Sequence, residues 1–223
     1  MRKLFLVLLL TVGTFANIGT IMTIQGKASV NRADKSVKAT NGMNLFEGDQ
    51  IITQNKTKVQ IMLNDNTAIT IGPHSAFSFE EYLYDGTDSS SVTMKATRGF
   101  FRSVTGKIGK LAPERFKVKT NLATIGVRGT DFSAQLQDTT AVYKCYSGEI
   151  VVSFEGNKQS VIAGDMLQLQ LDGSTVKVQP IKALKTISKS KVSANNIIHT
   201  EALSDISGIK HDIKDIKFDC QIK

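Results

Sequence analysis

The chain is poor in the residues from which catalytic and metal sites are usually assembled. Its 223 residues include no Trp, three His, two Cys and three Pro, and aromatics make up only 7%. Cys145 and Cys220 lie far apart in the chain, which excludes a CxxC metal knuckle, a redox dithiol and a disulfide-dense scaffold. His74, His199 and His211 show no ligand spacing among themselves, so no metal is expected. Asp65, Asp85, Asp88 and Asp172 fall in separate turns and do not form the acidic series of a calcium loop. No glycine-rich phosphate cradle precedes a helix, and no cofactor is implied. Long apolar runs are missing too. The one sizeable run, Leu4 to Leu10 with the mixed Thr11 to Phe15, falls short of the ~20 residues that cross a bilayer as a helix.

That run follows Arg2 and Lys3 and precedes small residues near Ala16, the layout of a secretory signal peptide. Cleavage near Ala16 and a periplasmic mature chain without stable membrane insertion are the expectation. Formal net charge is +8, of which residues 17–180 carry only +3; Arg2, Lys3 and the Lys-rich residues 181–223 supply the rest. Neither a basic cluster nor an aromatic platform is legible in the body, so nucleic acid is not an expected partner.

What the chain does contain is β-branched side chains. Ile, Val and Thr account for 58 residues, and their stiff χ1 favours strands. From Ile18 to Val178 short apolar or alternating runs are separated by turn residues, including Asp-Asn at Asp65, Gly-Pro at Gly72, Asp-Gly at Asp85 and Glu-Gly-Asn at Glu155. The expected fold is all-β, with many short strands in a roll, sandwich or irregular solenoid. Expected strands include Ser91 to Thr97, Gly99 to Val104, Asp131 to Leu136, Thr140 to Ser147 and Glu149 to Phe154. Phe100-Phe101 reads as core, with a surface patch as the alternative. After Pro180 the composition turns Lys- and Ser-rich. Leu203, Ile206, Ile209, Ile213 and Ile216 then recur at helical spacing, which predicts a short amphipathic helical tail that binds a partner. The chain is thus divided into a signal peptide (residues 1–16), a β domain (17–180), and a linker with an amphipathic tail (181–223).

Phe46-Glu-Gly-Asp-Gln-Ile51 is echoed by Ile162-Ala-Gly-Asp-Met-Leu167, and both read as hairpin turns. Between them, Asn64-Asp65-Asn66 and Gly72-Pro73-His74-Ser75 are followed by Thr120 to Phe132, which ends in Gly126-Val127-Arg128-Gly129-Thr130-Asp131-Phe132. Ser147-Gly148-Glu149-Ile150-Val151-Val152 comes next. This ordered series, over roughly residues 25–171, closely resembles the FecR domain of bacterial envelope proteins. Asn121 stands where that family usually has Pro. The iron-transport regulators that name the family carry a cytoplasmic anti-sigma segment and a spanning helix before the domain, and the present chain resembles the periplasmic module alone.

The resemblance implies a non-enzymatic module that makes protein contacts in envelope signalling or assembly. A carbohydrate- or peptidoglycan-binding module, taking cell-wall glycan, is the alternative. A sortase-like cysteine transpeptidase using Cys145, His74 and Arg128 is a third reading, and the Lys144-Cys145-Tyr146 context argues against it. Gly126, Val127, Arg128, Gly129 and Thr130 are expected to be structural: Gly129 at positive φ, Arg128 locked to a carboxylate such as Asp131, Asp49 or Asp165, and Thr130 bonded to backbone. Cys145 is expected to be a small buried residue, or else bridged to Cys220.

Overall fold

The computed structural model describes residues 16–172 and 174–178. The predicted tail helix, its five aliphatics and Cys220 lie outside them. Fifteen strands form one continuous hydrogen-bonded sheet that folds back on itself in two leaves. The first leaf runs β4 (Asn44–Phe46), β1 (Asn17–Gln25), β6 (Lys58–Leu63), β7 (Ala68–Ile71), then the second half of β9 (Ser91–Val104). It continues through the second half of β11 (Thr124–Leu136) and the first half of β12 (Thr140–Phe154) to β14 (Met166–Gln170) and β15 (Thr175–Val178). The second leaf runs β3 (Lys35–Lys38), β2 (Ala28–Arg32), β5 (Gln50–Thr53), β8 (Ala76–Leu83), the first half of β9 and β10 (Phe116–Lys119). The first half of β11, the second half of β12 and β13 (Asn157–Ile162) complete it. The all-β expectation is met.

Strands β9, β11 and β12 therefore belong to both leaves, and each switches at a glycine with positive φ: Gly99 (82°), Gly129 (61°) and Gly148 (79°). The burial pattern records each switch. In β9 the buried apolar side chains are Val92, Met94 and Ala96 before Gly99 and Phe101 after it, with Ser103 buried on the Phe101 face and Ser91 and Thr93 buried on the face opposite Val92. In β11 the buried apolar side chains are Ile125 and Val127, then Phe132, Ala134 and Leu136, with Thr130 on the Phe132 face and Ser133 buried on the other; in β12 they are Ala141, Tyr143 and Cys145, then Ile150 and Val152. An extra residue in a strand of period two sends every later side chain to the opposite face. That inversion keeps the apolar side chains inward as the strand passes from one leaf to the other.

The inward faces share one core. Phe77 on the second leaf packs edge-on against Phe101 on the first, with centroids 5.4 Å apart, and Phe101 packs against Phe132 at 5.9 Å. Phe101 is core as expected, while Phe100 is only half-buried.

The short helix α1 (Ile108–Leu111) and a 3-10 turn (Pro113–Arg115) interrupt the strands where the sequence suggested neither. The start of α1 is anchored by Asp65, fully buried in the β6–β7 turn. Its carboxylate accepts from the Thr67 amide at 3.1 Å, the Thr67 hydroxyl at 2.8 Å and the Ile108 amide at 3.1 Å. Its carbonyl accepts from the Lys107 amide at 2.7 Å, and its own amide donates to the Tyr82 hydroxyl at 2.9 Å. Burial, followed by the Asp65 charge, pushes that phenol well above its ordinary pKa.

Candidate functional site

The signature residues sit where β11 and β12 bend together. Arg128 pairs with Glu149 and Asp131 with Ser147, so Gly129 and Thr130 face the single residue Gly148. This is a β-bulge. The Gly148 backbone packs so tightly that a Cβ there would lie 2.6 Å from the Gly129 carbonyl oxygen and 3.0 Å from Thr130 Cγ2. A Cβ on Gly129 would meet nothing within 4 Å. The bulge is fixed from the other side by Thr105, whose amide donates to the Thr130 carbonyl at 2.9 Å and whose hydroxyl accepts from the Thr130 amide at 2.7 Å. The Thr130 hydroxyl itself is buried with no partner among the described residues, contrary to the expectation that it bonds backbone.

Arg128 also departs from expectation. It is exposed, and among the described residues it forms no ion pair. Two of the carboxylates expected to hold it are gripped by other guanidiniums. Arg102 donates through Nε to Asp131 Oδ1 at 2.8 Å and through a terminal nitrogen to Oδ2 at 2.6 Å, and it lies 4.5 Å from the Tyr146 ring centroid. Arg32 makes the same fork with the buried Asp49, both contacts at 2.7 Å, and lies 4.3 Å from the Phe46 centroid. Neither pairing is legible in the sequence, because each depends on strand register: β11 lies beside β9, and the β2 end returns to the Gly48 turn. Gly126 and Val127 complete the segment, the valine buried in the core.

The three residues of the transpeptidase reading do not converge. Cys145 is a free thiol pointing into the core, whereas His74 and Arg128 are exposed. Burial pushes the Cys145 thiol up, away from the thiolate that nucleophilic chemistry needs, although backbone hydrogen bonds at Ser147 and Ile150 pull the other way. Iodoacetamide should therefore leave Cys145 almost unmodified in the native chain at pH 8 and label it fully in urea. Rapid native labelling, read by mass spectrometry of the Cys145 peptide, would reverse this assignment.

Residues 49–151 match the family described as FecR protein. That stretch is similar to a FecR domain. The match begins at Asp49 in the Gly48 turn and ends at Val151, just past the bend, so the matched stretch takes in both Arg–Asp forks' carboxylates and the whole β11–β12 bulge. Two crystal structures of candidate anti-sigma factors from Parabacteroides distasonis are similar to this chain, with TM-scores of 0.49 and 0.48 and identities of 15% and 17%. In each comparison the alignment covers 59% of this chain and 59% of the other, so the chain spans about three fifths of those proteins. No curated protein matches.

Proposed function

We propose that this chain is an exported, non-enzymatic FecR module that contacts another envelope protein in signalling or assembly, with Arg128 as a contact residue. The observation that carries the reading is a guanidinium with no ion-pair partner among the described residues, held outward at a backbone corner that three separate elements immobilise. An arginine kept only to lock a turn would be paired inside it. This one is presented, and its planar fork suits a carboxylate. The FecR match over residues 49–151 supports a place in envelope signalling. Arg2, Lys3 and the short apolar run after them support export, with residues 1–16 removed and residues 17–180 forming the module. Among the described residues no helix is long and apolar enough to cross a membrane. Residues 181–223 would contribute a second contact through Leu203, Ile206, Ile209, Ile213 and Ile216.

The test is affinity capture of the tagged full-length chain from envelope extracts, with mass spectrometry of its own N-terminus in the same sample. A mature start near Asn17, one dominant protein partner, and loss of that partner with Arg128→Glu but not with a change at the exposed Lys38 of the edge strand β3 are expected. An intact Met1 on a carbonate-resistant membrane species removes the export reading. Retention on purified peptidoglycan unaffected by Arg128→Glu would favour the glycan-binding alternative.

A further inference from the structure

The fold gathers a basic surface around Arg128 that is dispersed in the sequence. Residues 105–119 hold Lys107, Lys110, Arg115, Lys117 and Lys119 against the single acid Glu114. They are spread over α1, the 3-10 turn and β10, and all three of these elements pack against β11. In β10 the buried side chains are Phe116 and Val118, so Lys117 and Lys119 face outward. Lys117 is paired with Gly126, two residues before Arg128 on the same outward side of β11. Lys119 is taken by Glu80 at 2.8 Å, and Arg115 donates to the Ser89 carbonyl at 3.2 Å. The exposed side chains of Lys110, Lys117 and Arg128 form no ion pair among the described residues. Two exposed aliphatics lie on or beside these elements: Leu111, 44% exposed, ends α1, and Ile162, 54% exposed, follows Arg128 and Glu149 in one cross-strand row.

We infer that the surface made by α1, the 3-10 turn, β10 and the Arg128 corner binds an acidic polypeptide segment of the partner, one that alternates carboxylates with aliphatic side chains. The inference rests on the protein-contact reading above and adds the chemistry of what is contacted. Like-signed charges that no described residue pairs repel one another and are relieved by a complementary anion, and Glu149, the acid opposite Arg128, accepts from the Ser160 hydroxyl. The choice of polypeptide over a polyanionic glycan or nucleic acid follows from the two aliphatics. Apolar contacts beside a guanidinium fork reward a carboxylate with a hydrocarbon neighbour, whereas a phosphate or sulfate polymer offers Leu111 and Ile162 nothing, and no aromatic platform lies among these residues for bases to stack on.

The experiment uses the full chain and a short synthetic peptide alternating glutamate with leucine, followed by fluorescence anisotropy at low and moderate salt. Binding that weakens with salt is expected, and the triple variant Lys110→Ala, Lys117→Ala, Arg128→Ala should bind at least ~10-fold more weakly with an unchanged melting temperature. Arg128→Lys should recover only part of the loss. No binding, or equal binding of dextran sulfate with the same dependence on the three residues, overturns the proposal in favour of no site or of a general polyanion surface. A photo-crosslinker at position 117 in cells separates this inference from the reading beneath it. A protein adduct that the peptide does not displace leaves protein contact standing and removes the acidic segment, while peptide binding with no protein adduct does the reverse.

Discussion

Gly148→Val should be the most damaging single change at the β11–β12 bend, lowering stability by about 3 kcal/mol or more in urea unfolding. It combines a positive φ of 79° that L-residues rarely adopt with a Cβ position 2.6 Å from a main-chain oxygen. Left-handed strain alone costs about 1–3 kcal/mol, and overpacking against backbone adds a similar amount because backbone has nowhere to go. Gly129→Val is the internal control. Its φ is 61° but its Cβ would meet nothing within 4 Å, so only the conformational cost of about 1–2 kcal/mol remains. Equal effects at the two positions would mean that the bulge rearranges and that the close approach of Gly148 to Gly129 does not hold the bend. Because Arg128 precedes Gly129, both variants should also weaken partner capture, in the same order.

Asp65→Ala is expected to cost about 4 kcal/mol, although Asp65 lies outside the signature segment. The residue is fully buried, and truncation strands the Thr67 amide, the Thr67 hydroxyl and the Ile108 amide together. Each buried unsatisfied donor costs about 1–3 kcal/mol, and the Gly106 amide, itself a donor to the Thr67 hydroxyl oxygen, cannot replace the acceptor that hydroxyl loses. Asp65→Asn should cost less, since one oxygen remains to accept while the amide nitrogen faces at least one donor. Hydrogen exchange would localise the effect, with residues 106–115 losing protection before the β11–β12 ladder. Protection lost evenly over the fold, with residues 106–115 no worse than the β11–β12 ladder, would show that Asp65 does not anchor α1.

Much of this was legible in the chain, in places for reasons that became clear only from the fold. The expected strands break between Thr97 and Gly99 and between Ser147 and Glu149, where β9 and β12 continue unbroken. Glycines that look like strand breakers are the bends at which strands change leaf. The same appearance hid residues 124–130, the first half of β11, behind Gly126 and Gly129. Strand β3 escaped notice because all four of its residues are exposed and leave no alternation to read. Positive φ at Gly129 and burial of Val127, Phe132 and Cys145 were readable from local pattern. The partner of Asp131 was not, because Arg102 reaches it only through the β9–β11 register, and the basic surface was not, because its lysines arrive from a helix, a turn and a strand.

The sharing of β9, β11 and β12 between the two leaves also has a mechanical meaning. In a sandwich built from separate strands, two layers held by side-chain contact alone can slide when one is pulled. Here any tension applied at the Arg128 corner runs along covalent backbone into the opposite layer, and the layers cannot part without breaking the long β11–β12 ladder. A pull from a bound partner is carried through the body as through a stiff bracket.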